Sequence, residues 1–278
     1  MAAFDGNKWW DYLKSQPGVQ PITGGAVYTG TSGMDEIYGS DPQSWGSGPV
    51  RQLLGNDTLS GGGGDDGIMG RGGNDSISGG DGNDGLYGDG GTDFIFGDAG
   101  DDFIDGGADN DTLSGNTGND TILGGDGNDN ITGGQDQDWL SGGTGDDVVD
   151  GALGNDTLQG NAGNDTISGG DGNDQLAGGQ NNDVLNGGAG ADTLTGDLGN
   201  DTLTGGSGAD VFFASNTTGQ DVIQDFNYAE GDRMQIMSGT TGTAYQSGAD
   251  TIFDMGGGNQ IVLVGVNLSS LPTDWAFY

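Results

Sequence analysis

Residues 79–87 read Gly-Gly-Asp-Gly-Asn-Asp-Gly-Leu-Tyr, and residues 169–177 read Gly-Gly-Asp-Gly-Asn-Asp-Gln-Leu-Ala. Counting outward from Asp84 in steps of nine lands on aspartate every time: Asp57, Asp66, Asp75, Asp84, Asp93, Asp102, Asp111, Asp120, Asp129, Asp138, Asp147, Asp156, Asp165, Asp174, Asp183, Asp192, Asp201 and Asp210, eighteen positions without exception. Two residues beyond each stands an apolar side chain, from Leu59, Ile68 and Ile77 to Phe212. Five residues before each stands glycine, except that the first copy has Gln52. The unit is therefore G-x-x-G-x-D-x-U-x, with U apolar, running over residues 52–213. A fixed short period of this kind predicts a solenoid in which each coil is covered only by its neighbours.

The spacing also predicts the geometry. Six residues of turn and three of strand make one side of a flattened coil, and two nonapeptides bring the chain back to where it began. The expected fold is all-β: a right-handed parallel β-roll, a two-sided solenoid with a C-terminal cap of strands. The turns fall into two stacks, one beginning at Asp57 and stepping by eighteen, the other beginning at Asp66. At roughly 4.8 Å per strand, nine coils run about 43 Å. The residue two before each aspartate is glycine except at Asp109, Asp136 and Asn181. Aspartate and asparagine are the next-best residues for left-handed backbone, so this column is a positive-φ position.

Composition agrees with a solenoid and limits function. Only 31% of the 278 residues are hydrophobic and 65 are glycine, which in an aperiodic chain would mean disorder. One apolar residue per repeat makes a thin core, so something else must hold the coils together. The formal charge of −38 repels nucleic acid and anionic membranes. No apolar run is long enough to span a membrane, and residues 1–18 lack the apolar core of a signal peptide. The chain has neither histidine nor cysteine, which excludes Ser-His-Asp and Cys-His catalysis and the usual zinc sites. No carboxylate pair of the glycosidase kind stands apart from the repeat.

The flanks read differently. Residues 1–29 are expected to be an N-terminal cap. A short helix over 1–16, with Trp9, Trp10, Tyr12 and Leu13, stops at Pro17, and 17–29 are extended or irregular. Within 30–51, Gly30 to Tyr38 is a degenerate repeat with Asp35 in the ligand position, and 40–51 is a loop bulging from one coil. Residues 214–278 form a capping β domain, with strand-like runs at Asp221–Phe226, Arg233–Met237, Thr251–Phe253 and Ile261–Val266.

The repeat aspartates are read as metal ligands. An aspartate that merely capped its own turn could be replaced by asparagine. The position immediately before is asparagine in eleven of the eighteen copies, yet asparagine never stands at the aspartate itself. The site therefore requires negative charge. Carboxylates stacked roughly 4.8 Å apart repel unless a cation lies between them. Carboxylates with carbonyls from Gly-rich turns suit calcium, whereas magnesium keeps its waters. One ion in each gap of both stacks gives up to about sixteen Ca²⁺, offsetting about 32 of the 38 negative charges.

The two copies quoted first resemble RTX proteins, the hemolysin-type calcium-binding repeat family, and the resemblance covers nearly all of residues 30–213. Residues 208–232 and 262–278 are similar to the C-terminal β-roll module of serralysins. The resemblance implies calcium held by the repeat aspartates and by turn carbonyls, here those of Gly64, Gly73, Gly82, Gly91, Gly100, Gly118, Gly127, Gly145, Gly154, Gly163, Gly172, Gly190, Gly199 and Gly208. It further implies secretion through a type I exporter with an uncleaved C-terminal signal, and folding outside the cell. Roughly 50 residues before the array are too few for a protease or lipase domain, so the expectation is a non-catalytic structural or interaction module. Its partner would be an extracellular polysaccharide or a cell-surface molecule. The alternatives are a secretion and folding module of an exoenzyme (serralysin, lipase or alginate epimerase) and an ice-binding or adhesive rod. The Thr/Ser pairs such as Thr166/Ser168 on one outward face, and Tyr87, Phe103 and Trp139 on the other, motivate the rod.

Overall fold

The computed structural model describes residues 27–29, 36–38, 55–214, 219–237, 240–272 and 275–277. The period of nine becomes a coil of eighteen. Thr58 pairs with Ser76, Leu59 with Ile77 and Ser60 with Ser78, all in parallel. The same offset persists to Leu185 against Leu203. Copies after the Asp57 stack build a fourteen-stranded sheet, and copies after the Asp66 stack build a twelve-stranded one. This is the expected two-sided parallel solenoid.

The strands are longer than the spacing alone indicates. Each strand spans six of every nine residues, as in Thr58–Gly63 and Gly67–Gly72, and leaves three for the turn. The glycine five before the next aspartate explains this. Gly61 is skipped in the pairing, which resumes at Gly62 with Gly80 and Gly63 with Asp81. Gly62 and Gly80 have φ of 98° and 112°, so the strand bends there without losing its neighbour. From Asp66 to Asp210 a left-handed position thus lies four residues before the aspartate, and, except at Gly199, another lies two before it. The expected column holds, with Gly64 at 105°, Asp109 and Asp136 at 75° and Asn181 at 77°. The second column includes Asp89, Asp98 and Asn116, and also Arg71 at 81° and Ala152 at 71°, which have no polar reason to adopt it.

The core is the predicted line. From Leu59 to Phe212 each U residue is at most 2% exposed, and the two rows face each other between the sheets. At the N-terminal end Ile37 pairs in register with Ile68, so Glu36–Tyr38 acts as the strand of a preceding repeat. Val27–Thr29 lies likewise along Thr58–Ser60. The expected helix over 1–16 and the loop over 40–51 lie outside the described residues.

Beyond the array the core becomes conventional. Phe212, Phe226, Trp275 and Phe253 form a chain of tilted and edge-to-face rings with centroids 6.1–6.4 Å apart. Thr243–Ser247, Asp250–Gly256 and Asn259–Leu263 make an antiparallel meander at the end of the first sheet. Ala276–Phe277 closes the second sheet against Arg233–Ile236. Among the described residues the only helical turn is Leu268–Ser270, and no helix is long and apolar enough to cross a membrane.

Candidate metal centre

Each repeat aspartate stands immediately before a strand, and its side chain is buried. The carboxylates of Asp57 through Asp210 are at most 4% exposed. Their two oxygens have different surroundings. Oδ1 reaches back one coil and accepts a backbone N–H: Asp57 N–H donates to Asp75 Oδ1 at 2.7 Å, and Asp66 N–H to Asp84 Oδ1 at 2.7 Å. The same bond recurs up both stacks, as far as Asp183 N–H to Asp201 Oδ1 and Asp192 N–H to Asp210 Oδ1, each at 2.9 Å.

Oδ2 has no such partner. From Asp75 to Asp210 every repeat aspartate keeps Oδ2 buried and without a hydrogen bond among the described residues. A buried, unpaired carboxylate oxygen costs several kcal/mol unless something positive reaches it. The space beside it is shaped by glycine. A Cβ on Gly79 would overlap Asp84 Oδ2 on one side and the Gly97 carbonyl of the next coil on the other. A Cβ on Gly124 would meet Asp129 Oδ2 and the Gly142 carbonyl in the same way. Carboxylate and carbonyl oxygens thus converge on one small space at turn after turn, and two acceptors facing each other repel.

This geometry sharpens the asparagine argument. An asparagine here could accept the N–H through Oδ1 and donate its amide to the facing carbonyl, satisfying everything without an ion. The chain never uses it. A hard cation is what both oxygens can share, and the donor set of carboxylate plus backbone carbonyl fits calcium. Among the described residues no three acidic side chains converge on one point, so a calcium site here needs backbone carbonyls or water beside its carboxylates.

The convergence places the carbonyls of the glycines five before the aspartates, such as Gly97 and Gly142, next to Oδ2. The resemblance implies carbonyl ligands two before the aspartate, not five before it. The carbonyls two before the aspartate face the next coil instead. A Cβ on Gly82 would overlap the Gly64 carbonyl, and one on Gly100 the Gly82 carbonyl.

Two further groups escape the periodic pattern. The asparagines before the aspartates form a ladder of their own along the exposed edge. Asn56 Oδ1 accepts Asn74 N–H at 2.9 Å, Asn110 Oδ1 accepts Asn128 N–H at 3.0 Å and Asn182 Oδ1 accepts Asn200 N–H at 2.9 Å. These reach forward one coil while the aspartates reach back. Their frequency is visible in the sequence, but not their direction. The second group is Asp221, Asp225 and Asp232, beyond the array. Asp201 N–H donates to Asp221 Oδ1 at 3.2 Å and Asp210 N–H to Asp232 Oδ1 at 3.1 Å, at spacings of 20 and 22 that a period of nine cannot find. Asp225 accepts Gly205 N–H at 2.9 Å and Gly206 N–H at 2.8 Å.

The inner and outer acids of one turn are tuned in opposite directions. Burial pushes Asp102 and Asp138 up to about 8, and Asp93, Asp111 and Asp147 up to about 7; backbone N–H bonds oppose this, and neighbouring carboxylates add to it. On the exposed edge, backbone and side-chain N–H bonds from Asn119 hold Asp101 below the usual carboxylate range, and those from Asn164 do the same for Asp146. The inner carboxylates are the ones short of positive charge.

A two-sheet parallel solenoid with a buried carboxylate at every turn is the architecture of a cation-dependent β-roll. The chain belongs to the RTX calcium-binding nonapeptide repeat family, whose model matches residues 53–86, 87–122, 123–158, 150–185 and 177–212, more than half of the chain. Calcium binding is what this family and the carboxylate ladders imply. No curated protein sequence matches the chain. Among solved structures it is similar to the extracellular lipase LipA from Serratia marcescens, at 23% identity and a TM-score of 0.27, covering 67% of this chain and 40% of the lipase. It is also similar to a hyperactive, Ca²⁺-dependent, β-helical antifreeze protein from an Antarctic bacterium, at 18% identity and a TM-score of 0.36, covering 82% of this chain and 93% of that one. A third likeness is to the AlgE6R3 subunit of the Azotobacter vinelandii mannuronan C5-epimerase, at 23% identity and a TM-score of 0.19, covering 51% of this chain and 77% of that one. These scores are too low to carry an argument about activity.

Proposed function

We propose that the chain is a secreted, non-catalytic structural or interaction module whose array folds when it meets calcium outside the cell. Asp57 to Asp210 serve as the carboxylate ligands, turn-glycine carbonyls complete each site, and up to about sixteen ions fill the gaps of the two stacks. Secretion follows the type I route typical of RTX proteins, with the exporter as the transient partner. The capping domain over 214–278 carries the export signal, and an extracellular polysaccharide or cell-surface molecule is the lasting partner. The supporting observation is the row of buried Oδ2 atoms from Asp75 to Asp210, without hydrogen bonds among the described residues and, in most turns, beside a carbonyl of the next coil. Without cations these atoms oppose the fold, so binding and folding are one event. At cytosolic calcium the chain stays threadable; at the roughly 10⁻⁴–10⁻³ M typical of extracellular calcium modules it folds.

Far-ultraviolet circular dichroism of the full chain during a calcium titration tests this. A cooperative gain of β-signal, reversed by chelator and not reproduced by magnesium, is expected. Full β-structure after exhaustive chelation would refute the coupling.

A further inference from the structure

The first carboxylate ladder continues past the last recognisable repeat. Gly219-Gln-Asp221-Val-Ile223 has the second half of the repeat pattern, G-x-D-x-U, but lies 20 residues beyond Asp201 and outside the matched residues 53–212. Much of the geometry of a repeat is nevertheless present. Gly219 has a φ of 125°, and a Cβ there would overlap the Gly199 carbonyl, just as one on Gly208 would overlap Gly190. Gln220 N–H donates to Asn200 Oδ1 at 3.0 Å, extending the outer ladder. Asp221 is 2% exposed and accepts Asp201 N–H, extending the inner one. Val222 and Ile223 pair with Thr202 and Leu203, and Ile223 is 1% exposed in the core row.

The ligand itself is indicated by Asp201. Its Oδ2 is buried and without a hydrogen bond among the described residues, and its backbone N–H donates to Asp221 Oδ1. An array that ended at Asp210 would leave this oxygen at the open end of the stack with nothing to share it.

The second ladder ends differently. Asp232 also accepts the preceding aspartate's N–H, but Glu230 stands where the left-handed glycine would be. Its Oδ2 accepts Asn227 N–H at 2.7 Å, so both carboxylate oxygens are engaged by the backbone.

We infer that Asp221 is a further calcium ligand, closing a site with Asp201 in the gap beyond the nonapeptide array, and that Asp232 is a backbone cap and no ligand. The assignment rests on the calcium reading of the repeats and adds one ion to the Asp57 stack only.

Native mass spectrometry of the full chain at saturating calcium, with circular dichroism to confirm folding, tests it. Asp221→Asn keeps the acceptor for Asp201 N–H and removes the charge. It is expected to hold one calcium fewer than the parent, while Asp232→Asn holds the parental number. An unchanged count for folded Asp221→Asn overturns the inference. Should that variant not fold, anomalous diffraction from calcium-grown crystals of the parent decides. A peak within roughly 2.3–2.6 Å of an Asp221 oxygen supports the site. Peaks along both stacks with none between Asp201 and Asp221 overturn it. A parent chain that binds no calcium overturns the calcium reading, and the inference with it.

Discussion

The array over 57–212 and the cap over 219–277 share two sheets but hold together by different means. In the array each nine-residue unit buries one apolar side chain and one carboxylate, and from Asp75 to Asp210 the carboxylate Oδ2 has no hydrogen bond among the described residues. In the cap, Asp225 and Asp232 have both oxygens engaged by backbone N–H groups, and Phe212, Phe226, Phe253 and Trp275 pack as in an ordinary core. The cap carries its stability in its own side chains. On the proposed calcium reading, the array leaves one term of each coil to be supplied from solution and folds only where that term is available.

The largest effect that can separate the two regions is expected at Gly124. Its backbone permits alanine, but the added methyl would occupy the space between Asp129 Oδ2 and the Gly142 carbonyl. Gly124→Ala should cost more than about 4 kcal/mol in calcium-loaded protein, by combined overpacking and loss of an ion site. Denaturant unfolding at saturating calcium measures it, and a cost under about 1 kcal/mol would mean that the space holds nothing. In the cap, Phe253→Ala should cost about 3–5 kcal/mol by cavity formation. That loss should not be recovered by raising calcium, whereas array lesions should be partly recovered by mass action.

Much of this contrast is legible in the amino-acid sequence. Strict spacing, the glycine columns and the refusal of asparagine identify the two stacks, the core row and the row of buried aspartates. What stays hidden has physical reasons. Strand length depends on a bend at Gly61 and Gly62 that leaves no trace in hydrophobicity. The outer asparagine ladder is a matter of side-chain direction. Asp221 and Asp232 lie off the period because the connections before them are longer by two and four residues. The cap's aromatic cluster joins residues 212 and 275, a separation that no local pattern encodes.

Acidity offers a smaller test. In metal-free protein the inner carboxyls are raised, Asp102 and Asp138 to about 8 against an ordinary 3.8, chiefly by burial. A raised acid binds its proton more tightly in the folded state, so its contribution is present at low pH and lost as pH climbs through the folded value. Chelated protein should therefore gain β-structure as pH falls from about 8 toward 4. In the presence of calcium the trend reverses, because protons displace the ion from the same oxygen. Circular dichroism along both titrations gives the signs, and parallel trends would contradict ion and proton sharing Oδ2.

The smallest expected effect belongs to the outer ladder. Asn128→Ala removes an exposed acceptor for Asp146 N–H, a bond of 3.1 Å, and should cost about 0.5–1 kcal/mol with no change in bound calcium.

The central claim, that ions and not the apolar row keep the array folded, is tested most directly by amide hydrogen exchange read segment by segment with and without calcium. Strong protection throughout residues 58–207 in calcium is expected. Chelator should abolish it while the amides of 250–263 retain more protection than any part of the array. Array protection that survives exhaustive chelation, or that is lost no sooner than that of the cap, would contradict the account.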